Sequence, residues 1–424
     1  DANVLIYERL REELATGKSM RGAIAAAYSR AFGTIFDSHS TTLISSIILI
    51  YMGTGPIKGF GVALTIGVAL SLFTALVVTR LIFEWLLSQG KLNKIGMMHW
   101  IKDWKIDFMQ WAKPAFITSW TIIIIGIGYG FYRGSDIKGI EFAGGESVTL
   151  TYAKEVDLDK VREALKSFGE PRLQYLKGSD QTRLEVVTRH IESKSDAAQA
   201  NATSVVETLN NAFRDSKFVI DSQSSVGPSV GREVERSAVI AVFLSLFGIL
   251  IYVALRYEFS FSVGAVLAII HDVLMTCGIY FLAGKQLSAP MVAAVLTIIG
   301  FSINDTIVIF DRIREDLKLG VKGTFKELMN KALNQTLSRT LITSGTVFLS
   351  TMALLLLGGS ALSDFSFTFL VGIITGTYSS IYIASALVLW WHKGERPEMG
   401  SSVTINSVSA SPSITVKSET KVRA

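Results

Sequence analysis

Asn304-Asp305-Thr306-Ile307-Val308-Ile309-Phe310-Asp311-Arg312-Ile313-Arg314-Glu315-Asp316-Leu317 is an apolar run that carries a carboxylate in its interior and ends in a charged cluster. The same cassette opens the chain. Asp1-Ala2-Asn3-Val4-Leu5-Ile6-Tyr7-Glu8-Arg9-Leu10-Arg11-Glu12-Glu13-Leu14 aligns with it without a gap, Arg9 standing against Arg312. Downstream, Thr42-Leu43-Ile44 answers Thr340-Leu341-Ile342, and Gly53 to Gly67 runs parallel to Gly358 to Gly372, with Phe60 opposite Phe365. Duplication on this scale is how many transporters build two halves around a site near the bilayer midplane. An ionisable group in hydrocarbon is costly, so its presence points to ion or proton handling.

The rest of the chain has the composition of a polytopic membrane protein: 49% hydrophobic and 18% charged residues, with a mean hydropathy of +0.41, where soluble domains carry more charge. Eight complete spans are predicted, at 38–55, 59–84, 114–133, 233–256, 259–284, 287–311, 339–357 and 366–391. Each is close to the roughly 20 residues a helix needs to cross about 30 Å of hydrocarbon. Residues 1–6 read as the cytoplasmic end of a further helix, so a chain opening on Asp1 is expected to be a fragment. The net charge of +5 is no nucleic-acid footprint, because the basic residues flank spans. Arg9, Arg11, Arg30, Arg256, Arg312 and Lys331 fall on one side, which the positive-inside rule makes cytoplasmic. The single Cys277 excludes an intrachain disulfide.

Six segments follow from this reading. Residues 1–90 form a first membrane half, 91–113 a cytoplasmic linker with Trp100, Trp104 and Trp111 among lysines, and 114–133 a helix leading to the outside. Residues 134–230 have ordinary soluble composition, 231–392 complete the second membrane half with five helices, and 393–424 form a Ser/Thr/Val-rich tail expected to be disordered. Within the soluble segment the pattern predicts strands at 147–152, 172–176, 183–188 and 218–222 and helices at 157–168 and 195–213. That βαββαβ order is that of a ferredoxin-like α+β sandwich, outside the cytoplasm. The polar stretches Glu8–Phe36 and Asp311–Ser338 are expected to be amphipathic surface helices.

Asp305 lies seven residues before Arg312, roughly 10 Å inside the boundary at 1.5 Å per residue. An ionised carboxylate at that depth needs a cation or a water chain, and otherwise holds a proton, which suits a relay. The alternative is a structural carboxylate hydrogen-bonded to a neighbouring helix. Arg339 opens the next span; it is either a snorkelling topology anchor or, given the small polar residues after it, a partner of Asp305. Asp1 aligns with Asn304 and should lie at matching depth, so the acidic position shifts by one between copies. His271 and Asp272 adjoin within a span. As neighbours on a helix they are expected to face different contacts, as a secondary polar relay or as a clamp to the adjoining repeat. Five histidines without ligand spacing argue against a metal site, and no Walker-type loop argues for ATP use.

Taken together these residues resemble the SecD–SecF (SecDF) export family within the resistance-nodulation-division superfamily. The likeness is carried by Asp1 to Glu13, Gly53 to Phe60, Gly139-Ile140-Glu141-Phe142-Ala143-Gly144-Gly145, Val226-Gly227-Pro228, His271-Asp272-Val273, Asn304-Asp305 through Glu315, and Arg339 through Ser344. It implies an RND-type helix bundle and a non-enzymatic accessory of the translocon that uses the proton gradient to help draw preproteins outward. Asp1, Asp305 and Arg339 are then the proton-conducting residues, protons the coupling ion, and no cofactor is implied. The implied partners are the SecYEG translocon, SecA and the preprotein, with YajC and the YidC insertase as further associates, all at the bacterial inner membrane. Glu141 stands where the family usually has Asp, which a surface turn should tolerate, and the first half of SecD is absent, so the fragment is not expected to work alone. Two other readings stay open: a proton-coupled small-molecule or lipid exporter of the same superfamily, and a passive assembly scaffold whose carboxylates merely pack helices.

Overall fold

A computed structural model describes residues 2–53, 55–92, 95–96, 105–168, 171–177, 182–189 and 202–397. Among these, eight helices are long and apolar enough to cross a membrane. The first repeat comprises α1 (Ala2–Ala15), α2 (Met20–Met52) and α3 (Gly55–Phe73), which passes through a π turn at Thr74–Val78 into α4 (Thr79–Ser88). Then come α5 (Phe108–Arg133), the short α6 (Ile140–Ala143) and the sheet domain. That domain holds β1 (Gly145–Thr151), α7 (Leu158–Ala164), β2 (Arg172–Lys177), β3 (Thr182–Arg189), α8 (Ala202–Ala212) and β4 (Val219–Val226). The second membrane half comprises α9 (Pro228–Arg256), α10 (Phe259–Leu282), α11 (Ala289–Lys318), α12 (Phe325–Leu357) and α13 (Ser360–Ser379), followed by a π turn at Ser380–Ala384 and α14 (Ser385–Trp391).

The duplication is structural as well as sequential. Arg9 pairs with Glu12 and Arg312 with Glu315, both at 2.8 Å, the same i,i+3 ion pair in each copy. The two π turns, 14 residues after Phe60 and 15 after Phe365, occupy near-equivalent places. π turns frequently sit at functional sites. The polar stretches do not form separate surface helices. Each is split, its first part ending one helix and its second part opening the next span, so that α2 runs unbroken from Met20 and α12 from Phe325. The helices continue because their apolar stripes stay buried: Ala23, Ile24, Ala27, Tyr28 and Ala31 in α2, and Phe325, Leu328, Met329 and Leu333 in α12. Thr324 and Glu327 close a capping box at the start of α12. Likewise α5 begins six residues earlier than the predicted 114, where Asp107 accepts the Gln110 N–H at 3.0 Å and anchors to Lys326 at 3.1 Å.

Close helix seams fix the bundle. A Cβ on Gly126 would lie 2.5 Å from the Gly278 Cα, and one on Gly372 would lie 2.1 Å from the Ile298 side chain. Small residues at such crossings allow the backbone contact that drives association in lipid. α11 is the central helix: most of its apolar length is buried, whereas the span formed by α3 and α4 is largely exposed.

The sheet has the order β2-β3-β1-β4 with all neighbours antiparallel, the ferredoxin-like arrangement. Val148, Leu150, Leu184 and Val186 pack with Val161 of α7, Leu165 just after it, and Val205 and Leu209 of α8. Gly144, at φ 76°, makes the turn that leads into β1. The domain is tied to the bundle: the Gly139 N–H donates to the Leu287 carbonyl at 2.9 Å, and the Leu287 N–H donates to the Ile137 carbonyl at 2.7 Å. Glu141 is not a free surface-turn residue, because its Oε2 accepts the Ala289 N–H at 3.0 Å, at the first residue of α11. Burial pushes its carboxyl above the ordinary range, although the Ala289 N–H favours the charged form. Trp100, Trp104, residues 195–201 and residues 398–424, on which parts of the linker, helix and tail expectations fall, lie outside the described residues. Trp111 lies in the first turn of α5 and is 62% exposed.

Candidate functional site

Where the two repeats meet, α11 supplies Asp305 and α12 supplies Arg339, 8% and 4% exposed. Asp305 Oδ2 accepts the Ser344 hydroxyl at 3.3 Å, and Ser344 in turn receives the Thr377 hydroxyl at 2.7 Å. No N···O approach within 4.0 Å joins Asp305 to Arg339. The expected pairing is therefore one of proximity without contact. Arg339 lies in the electrostatic field of Asp305 and Asp311 from its own repeat and of Glu8 and Arg9 from the other. Among the described residues, its Nε and Nη1 are buried without a hydrogen-bond partner. A guanidinium so placed is attracted by carboxylates from both repeats.

Glu8 was not singled out by sequence, although the duplication sets it opposite Asp311. Burial pushes its carboxyl upward against the pull of Arg339 and Arg11. Glu8, Arg11, Glu12, Arg312, Lys331 and Ser338 line an open cavity of about 700 Å³ on the Arg-rich side, and Ser338 adjoins Arg339 in the chain. Arg9 reaches Glu315 of the other copy at 3.7 Å, and the Thr34 hydroxyl donates to Asp311 at 3.3 Å. Asp37, also missed, accepts Arg256 Nε at 2.7 Å and the Tyr252 hydroxyl at 2.9 Å between α2 and α9. Asp1 lies outside the described residues.

His271 and Asp272 are both fully buried. They do not serve wholly different contacts, because His271 Nδ1 stands 3.2 Å from Asp272 Oδ1. Side-chain reach overrides the helical angle between them. Asp272 Oδ2 also accepts hydroxyls from Ser302 at 2.5 Å and Ser379 at 2.7 Å. Asp272 and Asp305 thus occupy separate hydrogen-bonded settings, with Ser302 three residues before Asp305 on α11.

Residues 205–394 match the family described as protein export membrane protein SecD/SecF, C-terminal, and residues 1–90 match the MMPL family. The chain is 38% identical over 403 residues to the protein translocase subunit SecDF of Thermus thermophilus, covering 95% of this chain and 54% of that one. It is 40% identical over 290 residues to the protein translocase subunit SecF of Calditerrivibrio nitroreducens, covering 68% of this chain and 94% of that one. The crystal structure of SecDF, a translocon-associated membrane protein, from Thermus thermophilus matches with a TM-score of 0.81 at 37% identity, over 92% of this chain and 53% of the other. The chain spans about half the length of the SecDF relatives it matches.

Proposed function

Because the chain belongs to the SecD/SecF protein-export membrane family, we propose that it acts as a non-enzymatic accessory of the Sec translocon, using the proton motive force to promote preprotein translocation across, or insertion into, the bacterial inner membrane. Its partners in this reading are SecYEG, SecA and the emerging preprotein, with YajC and YidC nearby, and the sheet domain faces the periplasm. The basic residues gathered at the opposite ends of the spans support that orientation.

The observation that carries the reading is Arg339, buried with two guanidinium nitrogens unpartnered among the described residues and within the field of carboxylates from both repeats. With Asp305 ionised, Arg339 is drawn toward it. A proton arriving on Asp305 removes that attraction and leaves Glu8 and Asp311 as the carboxylates that draw the guanidinium toward the Arg-rich side. Asp1 supplies the first repeat's corresponding carboxyl. Release of the proton into the cavity beside Glu8 restores the first state. Arg339 and Asp305 sit on α12 and α11, and α11 begins at the Glu141 contact. A shift of α11 is thereby passed to the sheet domain.

Preprotein uptake into vesicles holding the Sec translocon and this protein, with and without an imposed proton gradient, tests the reading. Asp305→Asn should abolish the gradient-dependent part alone. Unchanged uptake in an assembled complex would instead favour a passive scaffold.

A further inference from the structure

The proton-coupled reading uses Asp305, yet the interior of the second repeat holds another carboxyl, 0% exposed, in a setting that a packing role does not explain. Asp272 sits where α10, α11 and α13 meet. Two hydroxyls from two different helices, Ser302 and Ser379, converge on one of its oxygens. Its ion-pair partner among the described residues is His271, whose other nitrogen, Nε2, is buried without a hydrogen-bond partner. The Trp120 ring of α5 lies 6.0 Å from the imidazole, and its indole Nε1 is also buried and unpartnered among the described residues. Unpaired polar atoms of this kind are rare in folded interiors and call for an explanation.

Hydroxyls continue the pattern one turn away in both directions. Toward the sheet-domain side, Thr276 and Thr375 face each other at 3.3 Å, four residues from Asp272 and Ser379 respectively. Toward the Arg-rich side, Thr306 and Ser380 meet at 2.8 Å, beside Asp305 and within the π turn. Gly376 lets α13 approach this closely, since a Cβ there would stand 3.1 Å from Ser302 Cβ. Tyr378 of α13 lies with its ring 6.5 Å from that of His271, Cys277 is five residues on from Asp272 along α10, and Asp305 is one turn beyond Ser302 on α11.

We propose that Asp272, gripped by Ser302 and Ser379 and backed by His271, is a second proton-binding site that loads on the sheet-domain side of Asp305 and exchanges with it along α11. The step moves one proton and no other atom. Asp272 gains an O–H bond as a hydronium on the sheet-domain side loses one and becomes water; Asp272 loses its charge, and one of the two serine hydroxyls turns from donor to acceptor. On exchange that O–H bond breaks as one forms on Asp305. The inference rests on the proton-coupled reading of Asp305.

Infrared difference spectra of the purified protein across a pH step would read protonated carboxyls directly, alongside gradient-driven preprotein uptake by the same variants. Asp272→Asn should remove one protonated-carboxyl band and lower gradient-driven uptake about tenfold, the scale of one charge-assisted hydrogen bond, while Asp272→Glu restores both. Ser302→Ala keeps the carboxyl and should shift its band, which holds the proposal open to refutation even if Asp272→Asn fails to fold. An Asp272→Asn protein with every carboxyl band and full uptake, or a Ser302→Ala band left in place, would overturn the proposal and leave a structural clamp. If Asp305→Asn itself spares gradient-driven uptake, the underlying reading fails; if it abolishes uptake while Asp272→Asn does not, only this inference fails.

Discussion

Phe60 and Phe365, the equivalent residues of the two repeats, pack against each other with ring centroids 5.2 Å apart. Equivalent residues that touch mark the axis about which a duplicated bundle is arranged, so the two halves meet there through identical chemistry. An aromatic pair of this kind contributes roughly 1 kcal/mol beyond its buried area. A double-mutant cycle with Phe60→Ala and Phe365→Ala should therefore show a coupling of about 1 kcal/mol in unfolding measured in detergent. Additive effects would mean that the halves are held elsewhere.

The α5–α10 seam should be less forgiving. Gly126→Leu has to displace the Gly278 backbone, which leaves no flexible side chain to give way. Overpacking of this sort costs about 1–3 kcal/mol. The variant should melt lower than Gly128→Leu, because a Cβ on Gly128 meets nothing within 4 Å.

Glu141 gives the tie between sheet domain and bundle a pH dependence. Its folded carboxyl is raised by burial above the ordinary 4.5, so the folded state holds the proton more tightly than the unfolded one. That contribution is complete below the unfolded value and is lost as pH rises through the raised one. Thermal unfolding followed from about pH 4 to about pH 7 should show this decline, and Glu141→Gln should flatten it.

Much of this architecture was legible in the sequence because membrane spans and half-buried strands have strong periodic signatures. The duplication was readable from Arg9 and Arg312, and the sheet order followed from the βαββαβ pattern. Helix continuity was not. Charges at Arg21 and Arg30 look like the edge of a span, yet α2 runs straight through them because Ile24, Ala27 and Ala31 stay buried. The π turns were invisible because one extra residue in a helical turn changes no composition. At the site, Asp305 and Arg339 stood out as charges in apolar surroundings, while Glu8 looked like an ordinary boundary residue. Its relation to Arg339 exists only after helices from opposite ends of the chain pack together.

Glu8→Gln should leave assembly intact, since the Arg9–Glu12 pair beside it is untouched. Arg339 would lose one of the carboxylates that compete with Asp305. Gradient-driven preprotein uptake should fall while the gradient-independent part stays level, and Glu8→Asp should recover part of the loss. Equal uptake by Glu8→Gln and native protein would remove Glu8 from the exchange.

If Asp305 carries the proton, proton flow out of the lumen during translocation depends on it. Vesicles containing the Sec translocon and this protein, with the sheet domain facing an acidified lumen that holds a pH-sensitive dye, report that flow while preprotein is translocated inward. Native protein should dissipate the lumenal acidity, whereas Asp305→Asn should dissipate it no faster than vesicles lacking the protein. Dissipation by Asp305→Asn at the native rate would assign the proton to another group.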